Sequence, residues 1–104
     1  MNDITIMRVI AKKAIVSFYT ARPDSKTALE EWHEKTENAE WDSFAQLKQT
    51  FNSADHVGKN RIVFNIKGNK YRLIALVLFK TKMVYIRFIG SHDEYDKIRD
   101  IENI

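Results

Sequence analysis

The spacing of apolar residues changes near Val57, and this change constrains the fold more than any other feature of the chain. Before Val57 the apolar residues recur every three or four positions, which is typical of amphipathic helices. After it they alternate, as in a strand with two different faces. Helices followed by strands indicate an α+β protein. With 104 residues, we expect one domain over 1–104.

Two to three helices are predicted before the sheet. Pro23 breaks the chain between the first two, and Asp24 or Ser25 is available to cap the second. Trp32 and Trp41 are expected in the core. The predicted elements of this half are an extension at 1–6, a strand at 7–10, helices at 12–19 and 26–37, a third helix starting at Asp42 or Ser43, and a polar loop at 52–55.

Three strands and a short C-terminal helix are predicted in the second half. The middle strand is apolar on both faces beyond Arg72, so it should be central. Ser91 can cap the helix that follows the last strand. The predicted elements are strands at 62–66, 71–79 and 83–89, a helix at 92–98 and a frayed tail at 99–104.

The positive charge is concentrated in residues 57–91, which hold eight basic side chains and no acidic one, in a chain of net charge +3. Such a field attracts polyanions and speeds their association. A solvated basic surface is the other interpretation of this segment.

Strand register predicts which of these side chains share a face. Two-residue turns at 68–69 and 80–81 place Asn65 opposite Arg72 and Leu73 opposite Phe88. His92 and Tyr95 then come toward Arg72. One face of the sheet, the candidate polyanion-binding face, then carries Arg61, Asn65, Lys67, Lys70, Arg72, Tyr85 and Arg87.

Several function classes are excluded or disfavoured. The chain has no cysteine, which excludes disulfides, thiol catalysis and cysteine-bound zinc. It has no apolar run of membrane-spanning length and no secretion signal, so we expect a cytoplasmic protein. The three histidines are scattered and the carboxylates avoid the basic sheet, so we expect neither a metal site nor a cofactor.

The basic face suits RNA cleavage by the RNA's own 2′-hydroxyl. An arginine can stabilise the phosphorane with two hydrogen bonds, and a histidine, tyrosine or lysine can transfer the protons. Taken alone, an arginine on a strand is usually solvated or paired with an acid, and Arg87 could pair with Asp93 or Glu94. Likewise, His92 could simply begin a helix and Tyr95 could pack in the core.

Two segments carry a family resemblance. Residues 63–75, VFNIKGNKYRLIA, resemble the central hairpin of HigB toxins, and residues 85–98, YIRFIGSHDEYDKI, resemble their last strand and C-terminal motif. With the start at 7–10 and the tryptophan-containing helix, the resemblance covers 7–98. The combination of NxxGNxYRL with GxHxEYD is specific.

This resemblance implies a RelE-like α+β fold, with two to three N-terminal helices packed on a twisted, mainly antiparallel sheet and a short C-terminal helix. It also implies a type II toxin that cleaves mRNA on the translating ribosome. It implies that Arg72, His92 and Tyr95 are the catalytic residues. It also implies a HigA-like antitoxin as partner, with operator DNA bound only through that antitoxin. The substrate-holding cations of the superfamily correspond loosely to Lys59, Arg61, Lys70 and Arg87.

Two other functions stay open at this point. Gyrase-inhibiting relatives share the scaffold without cleaving RNA, so the fold alone does not decide. A non-catalytic RNA-binding module would need exposed aromatic residues on the sheet, for which only Tyr85 is suitable.

Overall fold

The computed structural model describes residues 6–104, and it is an α+β protein with a five-stranded mixed sheet and a short C-terminal helix. Residues 1–5, most of the expected N-terminal extension, lie outside the described residues. The helices are α1 (Lys12–Ala21), α2 (Lys26–Glu37), α3 (Phe44–Thr50) and α4 (His92–Asp96), with 3-10 turns at Pro23–Ser25 and Ile101–Asn103. The strands are β1 (Arg8–Ile10), β2 (Asp55–Gly58), β3 (Arg61–Ile66), β4 (Tyr71–Leu78) and β5 (Met83–Ser91).

The sheet has the order β1-β5-β4-β3-β2, and its pairs are antiparallel except that β1 runs parallel to β5. The apolar strand β4 is therefore central, as predicted. Strand β2 was not predicted, because its sequence Asp-His-Val-Gly lacks alternation and lies at the sheet edge. The expected polar loop at 52–55 ends one residue earlier, where β2 begins.

The main core lies between the helices and one face of the sheet. Trp32 and Phe51 both pack edge-on against Phe64 of β3, with ring centroids 5.3 and 5.2 Å apart. Trp41 packs against Phe51 in turn. Both tryptophans are buried in this core, as the sequence predicted.

The predicted register holds in the first hairpin and in half of the second. Asn65 lies opposite Arg72. Between β4 and β5, however, Ala75 pairs with Ile86 while Ile74 pairs with Phe88, so Arg87 is an extra residue in a β-bulge. Leu73 therefore faces Ile89, and the predicted pairing of Leu73 with Phe88 is wrong.

A second layer covers the face of the sheet opposite α1–α3. Val63 and Ile74 are buried there, although they do not belong to the main core. Helix α4 packs on β4 and β5, and Ile101–Asn103 packs near β2. The segment expected to be a frayed tail, 99–104, contains this 3-10 turn, and Asn103 and Ile104 accept hydrogen bonds from Lys59 and Arg61. No helix in the part of the chain described could cross a membrane.

Candidate functional site

Arg72 is the most enclosed cation of the site, with only 9 % of its surface exposed. Strand β4 starts at Tyr71, so Arg72 projects from the end of the central strand onto the face opposite the main core. A buried guanidinium must satisfy its donors or lose stability. The groups that accept hydrogen bonds from Arg72 therefore indicate how its guanidinium is held.

The β3–β4 turn supplies most of these partners. Arg72 Nη1 donates to the carbonyl oxygens of Asn69 and Tyr71 at 3.1 and 3.3 Å, and Nη2 donates to Oδ1 of Asn69 at 2.5 Å. The turn adopts this shape with positive φ at Lys67 and at Gly68, where glycine carries no strain. No hydrogen bond of Nε is recorded among residues 6–104, so the outer edge of the guanidinium keeps donors for an anion.

Tyr95 closes the site from α4. The guanidinium carbon of Arg72 lies 5.6 Å from the centre of the Tyr95 ring, within cation–π range. A half-buried phenol beside a guanidinium can both position it and donate a hydrogen bond to a phosphate. The structure thus brings together Arg72 and Tyr95, as the sequence predicted.

His92 stands at the first turn of α4, next to the same hairpin. Its backbone N–H donates to the carbonyl oxygen of Lys70 at 3.0 Å, which extends the β4–β5 ladder past Gly90. Its Nδ1 lies 2.9 Å from a carboxylate oxygen of Asp96, and 42 % of the side chain is exposed. This contact fixes the ring and leaves Nε2 open to a substrate.

A capping box fixes the start of α4. The Ser91 hydroxyl accepts from the Glu94 N–H, and the Glu94 carboxylate accepts from the Ser91 N–H at 2.7 Å. That backbone hydrogen bond lowers the pKa of Glu94, with a smaller contribution from Arg22, 3.6 Å away. Glu94 pairs with Arg22, the residue that follows α1, whereas the sequence offered Arg87 as its partner.

Two of the predicted RNA-binding lysines point elsewhere. Lys70 pairs with Asp24, and Lys67 Nζ lies 3.8 Å from the same carboxylate and donates to the Asp24 carbonyl oxygen. Asp24 also accepts from the Tyr71 hydroxyl at 2.7 Å, and Tyr71 packs against Phe18 on the helix side. The prediction that Lys67 and Lys70 share the Arg72 face is corrected: their ammonium groups turn toward the helical layer.

The same contacts overturn the expectation that carboxylates avoid the basic sheet. Hydrogen bonds from Lys70 and then from Tyr71 hold the pKa of Asp24 down to about 2. The hydrogen bond to Asp24 raises the pKa of Lys70 and the pKa of Tyr71. Asp24 is thus an anion that ties the β3–β4 turn to the connection between α1 and α2.

A different set of cations does lie on the Arg72 face. Arg61 of β3 and Arg87 of the bulge both donate to the main-chain oxygen of Ile104. Lys59, in the β2–β3 turn, donates to the Asn103 side chain at 2.8 Å. Arg61 lies toward the end of the sheet away from Arg72, because it precedes Asn65, the partner of Arg72, by four residues, or about 13 Å of strand, whereas Arg87 lies nearer the middle, between the levels of Ile74 and Ala75.

Alternation alone places Arg87 on this face, and the bulge changes its apolar neighbour. An extra residue directs two consecutive side chains of β5 to one side of the sheet. The Phe88 ring accordingly lies on the Arg72 face, over Gly90, where a Cβ would be 2.5 Å from it. Of the other predicted residues, Asn65 is exposed opposite Arg72, and Tyr85 is half-buried opposite Leu76.

One basic residue of the segment is structural. Lys82 is buried, at positive φ in the β4–β5 turn, where it donates to the Trp41 carbonyl oxygen and pairs with Asp42. It lies at the opposite end of β4 from Arg72. Its charge therefore holds the turn to the loop before α3 and does not add to the site.

One group within residues 6–104 could hold a metal ion. Ligand atoms of His92, Asp93 and Asp96 lie within 4.8 Å of one another on the surface of α4. This group was not expected from the sequence, although Asp93 and Asp96 follow His92 by one and four residues on a predicted helix, a spacing that indicates it. Exposed acidic groups of this kind commonly hold no ion, and the His92–Asp96 contact accounts for the grouping.

Sequence reasoning also missed the supporting role of Asn69. The residue stood in the quoted motif but was treated only as part of a turn. Its position three residues before Arg72, across a tight turn, was the available signal. The fold and the site together define a class of small α+β protein in which a sheet carries a buried guanidinium held by a turn and packed against a tyrosine, with a histidine at the start of the same helix.

Comparison with known proteins places this chain within that class. Residues 25–98 match the family model of the HigB toxin, a RelE-like toxic component of a toxin–antitoxin system. The chain is 32% identical, over 92 residues, to the mRNA interferase toxin HigB of Escherichia coli K12, covering 86% of this chain and 88% of that relative. The mRNA interferase HigB of Escherichia coli O6:H1 is 24% identical over 94 residues. The chain belongs to the HigB toxin family.

Proposed function

We propose that this chain is the toxin of a type II toxin–antitoxin pair and an endoribonuclease that cuts mRNA during translation, on a RelE-like scaffold. The observation that carries the proposal is the pairing of Arg72 with Tyr95 beside His92, in a chain of the HigB toxin family. Relatives named mRNA interferase support the same activity.

The proposed reaction is attack of a 2′-hydroxyl oxygen on the neighbouring phosphorus. The new O2′–P bond forms as the P–O5′ bond breaks, the 2′-hydroxyl proton leaves to a base, and the departing O5′ takes a proton from an acid. Arg72 stabilises the charge on the non-bridging oxygens with the donors that Asn69 leaves free. His92 and Tyr95 are the proton-transfer candidates, and either order of base and acid fits the chemistry, which requires no metal.

The remaining predicted residues would hold the RNA. Arg61, Arg87 and Lys59 form one cluster on the site face, with Asn65 opposite Arg72 and Tyr85 at the level of Arg61 on the other side of β4. Lys67 and Lys70 are partly neutralised by Asp24 but remain exposed at the turn. Most of these cations already have a hydrogen-bond or ion-pair partner within the protein. We therefore infer that ribosomal RNA completes the site and that cleavage depends on the ribosome.

The proposed partners follow from the family. They are a HigA-like antitoxin, the ribosome and mRNA, with operator DNA contacted only through the antitoxin. The corresponding location is the cytoplasm, where translation supplies the substrate.

The decisive experiment compares three substrates. Purified toxin is added to an mRNA in a translating ribosome, to the same mRNA free in solution, and to DNA gyrase in a supercoiling assay. We expect cleavage of the translated mRNA and little of the free mRNA. Gyrase inhibition without RNA cleavage, or RNA binding without cleavage, would replace the proposal, and efficient cutting of free mRNA would remove the ribosome requirement.

A further inference from the structure

The main-chain oxygen of Ile104 occupies a position built from two arginines. Nε and Nη2 of Arg61 donate to it at 3.1 and 2.7 Å, and Nε of Arg87 donates to it at 3.1 Å. Nη1 of Arg61 is itself fixed on the Lys59 carbonyl oxygen at 3.0 Å. Three donor groups of two arginines thus converge on a single oxygen of Ile104, the geometry with which paired guanidinium groups hold an anion.

The rest of segment 101–104 follows the same cations. The Asn103 side chain accepts from Lys59, and the carboxylate of Glu102 lies against Gly58, where a Cβ would be 2.7 Å from its oxygen. The segment is a single 3-10 turn without a buried residue. Such a turn can detach at small cost, because few buried contacts hold it.

We propose that Arg61 and Arg87 form a binding site for a phosphate of the RNA backbone, and that segment 101–104 is a built-in competitor for this site. A phosphate offers two non-bridging oxygens to the planar donors of the two guanidinium groups, whereas these donors reach a single oxygen of Ile104, so RNA displaces the segment. The phosphate held there is not the reacting one, because Arg61 lies about 13 Å of strand from the level of Arg72.

This competition weakens RNA binding in the free protein. The measured dissociation constant equals the intrinsic constant divided by the fraction of molecules in which the segment is detached. The inference rests on the proposed function for the identity of the ligand, a single-stranded RNA.

The test measures binding of a short single-stranded RNA with 2′-O-methyl groups, which cannot be cut, by fluorescence anisotropy. Deletion of residues 101–104 is expected to tighten binding about threefold to tenfold. The deletion is repeated in a protein that carries Arg61→Ala and Arg87→Ala, where it should leave affinity unchanged because the contested site is gone. Asn103→Ala removes the acceptor of Lys59 and the hydrogen bond to Asp100 but leaves Ile104 in place, so it should tighten binding by a smaller factor in the same direction.

Three results would overturn the inference: weaker binding or no change after deletion in the wild-type background, tightening of equal size in the double-arginine variant, or no measurable RNA binding by either form. Circular dichroism establishes that each variant is folded. Cleavage of translated mRNA by the wild type is measured in parallel. Its absence together with retained competition would defeat the proposed function alone, whereas cleavage without competition would defeat this inference alone.

Discussion

Asn69 holds both terminal nitrogens of Arg72, accepting from Nη1 with its carbonyl oxygen and from Nη2 with its side-chain oxygen. The two residues are separated by three positions and a tight turn. A guanidinium held in this way cannot rotate toward solvent when RNA is absent. Its orientation is therefore set before the substrate arrives, which is the arrangement that electrostatic stabilisation of a transition state requires.

Asn69→Ala should remove the hydrogen bond from Nη2 of Arg72 and keep the one from Nη1 to the main-chain oxygen. Loss of a hydrogen bond to a charged group corresponds to about tenfold to a hundredfold in kcat, with KM little changed because Arg72 remains present. Asn69→Asp keeps an oxygen acceptor and should retain more activity than Asn69→Ala. Single-turnover cleavage of translated mRNA measures both variants, and equal losses in the two would contradict a positioning role.

The contact between His92 and Asp96 gives a second prediction. His92→Gln should reduce kcat by about a hundredfold or more if the ring transfers a proton. Asp96→Asn, which only loosens the ring, should cost about tenfold.

Asp93→Asn is the matched control for Asp96→Asn. It removes the same charge from the same exposed helix without removing the contact to Nδ1. Losses of equal size in the Asp93 and Asp96 variants would indicate a general charge effect on RNA binding and not orientation of the histidine.

Much of the fold could be predicted from local patterns. Helix α2 has the predicted bounds, because Pro23 and the amphipathic spacing fix both ends. The register that pairs Asn65 with Arg72 was predictable, since a shift by one residue would expose the apolar face of β3.

The remaining features depend on contacts between distant residues. The bulge at Arg87 leaves no mark in an alternating sequence, and it moved Phe88 to the opposite face. The pairing of Asp24 with Lys70 spans 46 residues, and that of Lys82 with Asp42 spans 40. Counting charges in one segment could not show that distant carboxylates neutralise part of it.

The cluster around Asp24 predicts a pH dependence of stability. Folding lowers the pKa of Asp24 from 3.8 to about 2, so its contribution is present above pH 4 and is lost as the pH falls toward 2. Urea unfolding of wild type and Asp24→Asn should therefore give a stability difference that is constant near neutral pH and shrinks between pH 4 and pH 2.

Lys70→Met removes the largest cause of this pKa shift and should weaken the same pH dependence. A stability difference between wild type and Asp24→Asn that is the same at neutral pH and at pH 2.5 would contradict the account of this cluster.

The central claim is that Arg72 stabilises the reacting phosphate, and single-turnover cleavage of mRNA on translating ribosomes tests it most directly. Arg72→Ala and Arg72→Lys, each shown to be folded, should lose about a hundredfold to a thousandfold in rate. Lys80→Ala, an exposed cation in the β4–β5 turn, should stay within about threefold of wild type. Folded Arg72 variants that cleave at the rate of Lys80→Ala would contradict the account.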